Sequence, residues 1–462
     1  MKTINSILLA GKEVLPIIEG GKGIGVSSGV TSGAFANAGA IGTFSGVNAD
    51  FYDENGNIAP YIYTTKTRIE RQKELIVQSV KGGITQAQIA YEKSCGNGLI
   101  NMNVLWEMGD VDGVLNGVLE KTKGLIHGVT CGAGMPYKLA EICANHEVHF
   151  YPIVSSMRAF RALWKRSYSK FSEFLGAVVY EDPWKAGGHS GISNQDDPNI
   201  PVAPFERVLE IRNFLKSVDM AHIPIVIAGG VWCLSEWEEY IGNPDLEPLA
   251  FQFGTRPMLT QESPISAEWK RQLSLIKKDD IVLNQFSPTG FYSSAVRNAF
   301  LQELIDRNER QVPYGKSQDA EYTQEYRHGN KSFFVSDADK IKADGWAADG
   351  FSVPLKTPDD TLVFVSQEKA DKIKQAQIDC VGCLSHCKFS GWVQPSSSVK
   401  LKPDPRTFCI QNALKRAIHT SDIDHALMFA GTEGHRFATD PFYKNGFVPT
   451  VAELVTGIIE GK

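Results

Sequence analysis

The 462 residues hold only eight cysteines, no long run of like charge and no apolar stretch long enough to cross a membrane. Cysteine this sparse excludes the disulfide scaffold of a small secreted protein. Forty-seven basic against fifty-three acidic side chains leave a formal charge of -6, without the clustered Lys and Arg that track a phosphate backbone, so nucleic acid is not an expected partner. The opening MKTINSILLAGKEV carries a short apolar run broken by Gly11 and Lys12, too brief for a signal peptide or a membrane span, and a cytoplasmic location is expected. Low-complexity tracts are missing. GGKGIG at Gly20 to Gly25 follows a strand-like run, but its spacing is not the G-x-G-x-x-G of a dinucleotide loop, and no other nicotinamide motif is visible.

What is present is a repeated theme. Eight short apolar runs each end in glycine or a small polar residue and lead into a helix-like stretch. They are VLPIIEGG from Val14, AIGTFSG from Ala40, GLINMNVLW from Gly98, GLIHGVTCG from Gly124, VHFYPIVSS from Val148, FLGAVVYED from Phe174, IPIVIAGG from Ile223 and LAFQFGTR from Leu249. Near-continuous apolar strands joined by helical crossovers need a parallel sheet covered on both faces. A count of eight favours a closed (βα)8 barrel, with an open doubly wound sheet as the competitor.

After Arg256 the rhythm changes. The division expected is a barrel over 1–275, a helical insertion or lid over 276–375, and a cysteine-containing appendage over 376–462 whose helices pack on the barrel. Residues 311–375 are charged and poorly periodic.

Barrel enzymes carry their sites at the C-terminal ends of the strands, and the loops after strands seven and eight commonly hold a phosphate. Here those loops contain Gly229 and Gly230, then Gly254 and Thr255. Glycine lets backbone amides approach phosphate oxygens, and Thr255 adds a hydroxyl. The first strand ends in Gly20, Gly21 and Gly23, a density suited to backbone passing close under a flat ring. His189, flanked by Gly187, Gly188 and Gly191, lies in the loop after strand six. A histidine among glycines has no apolar shell to fill, and its ordinary pKa suits proton transfer. Asn103, Ser155 and Ser156 are candidate hydrogen-bonding partners for a ligand edge.

The run PIIEGGKGIGVS, the AGGHSG loop, PIVIAGGVW, QFGTRPMLTQES and the closing CIQNALKRAI with LMFAGTEGHR together resemble the nitronate monooxygenase family, formerly 2-nitropropane dioxygenases. That family includes flavin-dependent enoyl-acyl-carrier-protein reductases and acyl-carrier-protein dehydrogenase/isomerases. The resemblance covers residues 14–300 and 380–460. It implies a TIM barrel binding FMN, with His189 as the catalytic histidine. Gly229, Gly230, Gly254 and Thr255 fall on the phosphate loops, and Gly20, Gly21 and Gly23 beside the isoalloxazine. Glu19 and Lys22 depart from the Gln and Met of the family pattern. The substrate implied is a nitronate, or an acyl group borne by a carrier protein. A homodimer is compatible with it.

Cys380, Cys383 and Cys387 form C-x2-C-x3-C, and Cys409 follows before a helix. Four thiolates suit a [4Fe-4S] cluster or, as the alternative, a zinc ion. The pattern resembles a family branch that carries an iron–sulfur cluster here. Cys95, Cys131, Cys143 and Cys233 read as small core residues. Two other functions fit parts of the chain: a flavin-free barrel binding a sugar phosphate or nucleotide, and a non-enzymatic redox sensor built on the C-terminal cysteines.

Overall fold

A computed structural model describes Lys2 and residues 4–462. The eight apolar runs form a closed parallel barrel of eight strands, Ile17–Glu19, Ile41–Ser45, Leu99–Leu105, Gly128–Gly132, His149–Val154, Val178–Glu181, Ile225–Ala228 and Leu249–Phe253. The circle closes where Phe251, Gln252 and Phe253 pair with Ile17, Ile18 and Glu19, so no open edge remains and the doubly wound alternative is excluded.

The crossovers begin where side chains satisfy the free amides of a helix start. Ser28 and Thr67 each form a capping box, with Thr31 and Glu70, at the heads of helices Gly29–Asn37 and Arg68–Ser94. Such a cap supplies acceptors for donors that the helix itself leaves unpaired. The second helix ends at Cys95, whose φ of 51° marks a left-handed cap. Cys95 is exposed, which corrects its assignment to the core; Cys131, Cys143 and Cys233 are buried as expected.

The segment after the barrel is not simply helical. Ile281–Asn284 and Ser293–Val296 form an antiparallel pair, and the latter also pairs with Gly188–His189. Residues 311–365 then contribute Gln311–Pro313, Val353–Lys356 and Thr361–Val365 as a three-stranded sheet, and Gln324–His328 with Lys331–Val335 as a hairpin. Helices Asp337–Ala348 and Gln367–Ile378 follow strands of this unit, which has its own small core around Val312, Tyr326, Phe333, Leu362 and Phe364. The helical insertion expected from the sequence is therefore an α/β unit. Its strands are only three to five residues long, and most carry one or two buried positions, too few to show a period.

The C-terminal segment returns to the barrel. Buried Arg256 holds it there, donating to the carbonyl of Lys462 at 2.8 Å and to the Tyr443 hydroxyl at 3.0 Å. No helix among the described residues is long and apolar enough to cross a membrane.

Candidate active site

The C-terminal ends of the strands open into a cavity of about 220 Å³. Its wall includes Gly20, Gly21, Gly23, Asn103, Gly187, Gly188, His189, Gly229, Gly230, Gly254 and Thr255. Eleven of the thirteen barrel positions expected from the sequence thus converge on one space. Ser155 and Ser156 do not line it: the Ser155 hydroxyl donates to the Gly191 carbonyl at 2.7 Å. The neighbouring Ser156 is the N-cap of helix Met157–Arg166. The opposite wall comes from residues 410–414 and 427–433, and none of residues 276–375 lines the cavity.

The two glycine loops are shaped to receive an anion. Gly229 and Gly230 have φ of 81° and 78°, a conformation that turns successive amides out of the strand and that residues with a Cβ resist. Among the described residues the amides of Gly229, Gly230, Gly254 and Thr255 donate to no protein acceptor. A Cβ on Gly254 would meet nothing within 4 Å, so that glycine keeps open a space the protein does not fill. Thr255 Oγ1 accepts from the Gly431 amide at 2.9 Å, which leaves its own proton to donate. Unpaired amides, a hydroxyl proton and vacant room fit the phosphate of FMN.

His189 sits at the same mouth. Its Nε2 lies 2.7 Å from Ser287 Oγ, and its ring packs between Phe291 and Phe429 at centroid distances of 6.1 and 5.6 Å. Nδ1 has no protein partner among the described residues. Burial lowers the imidazole pKa to about 4, so the ring is neutral at physiological pH and able to accept a proton. Ser287 was invisible in the sequence, because only the pairing of Ser293 with His189 brings its segment across.

An acidic group at the cavity was also missed. Glu181 ends the sixth strand opposite Ala228 and lines the cavity. Burial, with the nearby Asp182 charge adding to it, raises its pKa to about 8, so it carries a proton at neutral pH. Glu19 is fully buried and pairs with Lys22 at 3.2 Å. Burial pushes Glu19 up and Lys22 down, and the attraction between them opposes both shifts.

Cys380, Cys383, Cys387 and Cys409 also converge, around a second cavity of about 240 Å³. Cys383 lines both cavities. None of the four is in a disulfide, and burial raises Cys383, Cys387 and Cys409, the last to about 12. Among the described residues no three Cys, His, Asp or Glu side chains gather closely enough to hold a single metal ion.

Solved structures similar over nearly the whole chain include the nitroalkane oxidase from Streptomyces ansochromogenes, with a TM-score of 0.52 at 15% identity over 97% of this chain and 95% of that one. FabK from Thermotoga maritima gives 0.51 at 14% identity, over 96% and 92% of the two chains. The enoyl reductase domain of MlnA, from the macrolactin biosynthesis cluster of Bacillus amyloliquefaciens, gives 0.51 at 11%, over 97% and 93%. The chain shares their fold. That is the barrel which the sequence resemblance implied. No protein-family model and no curated protein matches the sequence.

Proposed function

We propose that the chain is an FMN-dependent oxidoreductase of the nitronate monooxygenase type, acting on a nitronate or a similarly activated carbon. One observation carries this: a neutral imidazole and two sets of unpaired loop amides face the same cavity. Gly229, Gly230, Gly254 and Thr255 would hold the FMN phosphate, and Gly20, Gly21 and Gly23 would pass beside the ring. FMN, when bound, supplies the two-electron chemistry, and the protein supplies orientation and electrostatics.

His189 Nδ1 is the atom placed to take the substrate proton. Ser287, held against Nε2, fixes the ring plane while that proton arrives. Phe291 and Phe429 exclude water from the imidazole faces, and Glu181 offers a hydrogen-bond donor next to the strand-seven loop.

A second substrate reading is favoured by the cavity wall, which adds Ile24, Val26, Ile153, Leu384, Leu414 and Met428. Apolar walls of this extent suit an acyl chain, so an acyl-carrier-protein dehydrogenase/isomerase or enoyl reductase fits the same machinery. In either case the four convergent cysteines would hold a [4Fe-4S] cluster, which supplies one-electron exchange.

The test is anaerobic reduction of the FMN-loaded protein by propionate 3-nitronate, by NADH and by an acyl-acyl-carrier protein. Bleaching of the flavin by the nitronate or acyl donor, slowed by about a hundredfold in His189→Ala, is the expected result. Equal rates in wild type and variant would remove His189 from the chemistry.

A further inference from the structure

The turn after the first barrel strand places one ammonium group on the cavity wall. Lys22 Nζ donates to Glu19 Oε1 at 3.2 Å and to the Gly20 carbonyl at 2.6 Å. An ammonium has three donors, so one is left over, and Lys22 lines the cavity whereas Glu19 does not. Glu19 lies behind it, held from the other side by the Thr43 amide, which donates to Oε2 at 3.3 Å. The turn itself is fixed by the Lys22 amide donating to Ser27 Oγ at 3.0 Å and the Ser27 amide donating back to the Lys22 carbonyl, also at 3.0 Å. The pair is therefore a rigid dipole with its positive end toward the cavity.

Burying an ion pair is a poor way to gain stability, because desolvation of both charges offsets most of their attraction. The field of a desolvated, oriented pair is in contrast weakly screened and acts strongly on anything beside it. Neither Glu19 nor Lys22 has a part in phosphate binding or in the proton transfer assigned to His189.

We propose that Lys22, oriented by Glu19, is an electrostatic tuning residue: it stabilises negative charge gathering on the bound flavin ring and so makes that flavin a stronger oxidant. This rests on the FMN reading of the cavity. Lys22 would act at the ring and Glu19 through Lys22, as a positioning residue that keeps the ammonium from swinging away.

Sulfite is a direct probe, since its lone pair adds to the oxidised ring without another reactant and the adduct is an anion. FMN-loaded wild type, Lys22→Met, Lys22→Arg and Glu19→Gln are titrated with sulfite, and their flavin potentials are measured. Lys22→Met is expected to bind sulfite about tenfold more weakly and to show a potential about 30 mV more negative, the two-electron equivalent of tenfold. Lys22→Arg keeps the charge and is expected to restore most of the loss. Glu19→Gln removes the carboxylate that holds the ammonium in place and favours its charged form, and should weaken sulfite binding in the same direction as Lys22→Met.

Unchanged sulfite affinity in yellow Lys22→Met protein, or no rescue by Lys22→Arg, overturns the proposal and leaves the FMN reading standing. If Lys22→Met sheds its flavin, the sign in Glu19→Gln decides, and unchanged or tighter sulfite binding there overturns it. Wild type that takes up no FMN defeats both readings together.

Discussion

Nε2 of His189 and Oγ of Ser287 lie 2.7 Å apart, although 98 positions separate them in the chain. Ser287 is fully buried and bonds onward to Thr289 Oγ1 at 2.8 Å. The hydroxyl therefore engages Nε2, while Nδ1 has no protein partner among the described residues. Ser287→Ala is expected to keep its FMN and to lose about tenfold in kcat with little change in KM, since removing an orienting hydrogen bond impairs proton transfer more than binding. Steady-state kinetics with flavin content measured in parallel checks this.

The pH profile follows from the same burial. Low polarity around His189 disfavours imidazolium, and its pKa falls to about 4. The acid limb of kcat/KM should then lie near pH 4 instead of the ordinary histidine value of about 6.5. Stability carries the same sign. The unfolded chain takes up this proton first as pH drops, so the contribution of His189 is complete above about 6.5 and is lost as pH falls toward 4. Denaturant titrations from pH 7 to 4 should show a smaller decline in His189→Phe than in wild type.

Gly254 separates protein folding from ligand binding. A Cβ there meets nothing beyond its chain neighbours within 4 Å, so Gly254→Val should fold with thermal stability close to that of wild type. The valine would occupy the space assigned to the phosphate, and FMN affinity is expected to fall at least about tenfold, or roughly 1.4 kcal/mol. Fluorescence titration and a melting curve on the same sample check both halves.

The barrel was legible because each strand is buried on both faces and reads as an apolar run, such as IPIVIAGG before Gly229 and Gly230. The glycine loops and His189 were legible because barrel sites follow strand ends. Ser287 was not: it lies in the loop between Ile281–Asn284 and Ser293–Val296, and the residues of the latter that pair with Gly188 and His189, Ser293 and Ser294, are polar and show no apolar period. Glu181 read as an ordinary strand end, and only its burial beside Asp182 marks it as a group that keeps its proton. Ser155 was misplaced by one feature of the fifth strand, whose end turns its hydroxyl toward the Gly191 carbonyl. The strands of the insertion escaped notice for a related reason; in Gln324–His328 only Tyr326 is buried.

The cysteine site has its own assay. Anaerobically prepared protein should contain about four iron and four acid-labile sulfide atoms per chain. Cys409→Ser should lose most of both while keeping its FMN, because Cys409 lines the second cavity and not the first. Four titratable thiols in metal-free protein that is otherwise fully active would count against the cluster.

The central claim is that the two glycine loops grip the phosphate of a flavin whose ring faces His189. Equilibrium titration of the flavin-free protein with FMN and with riboflavin, which lacks only the phosphate, tests it most directly. The account predicts one FMN per chain and riboflavin binding at least about a hundredfold weaker, as loss of several charge-assisted hydrogen bonds requires. Equal affinity for the two, or no flavin binding at all, would contradict it.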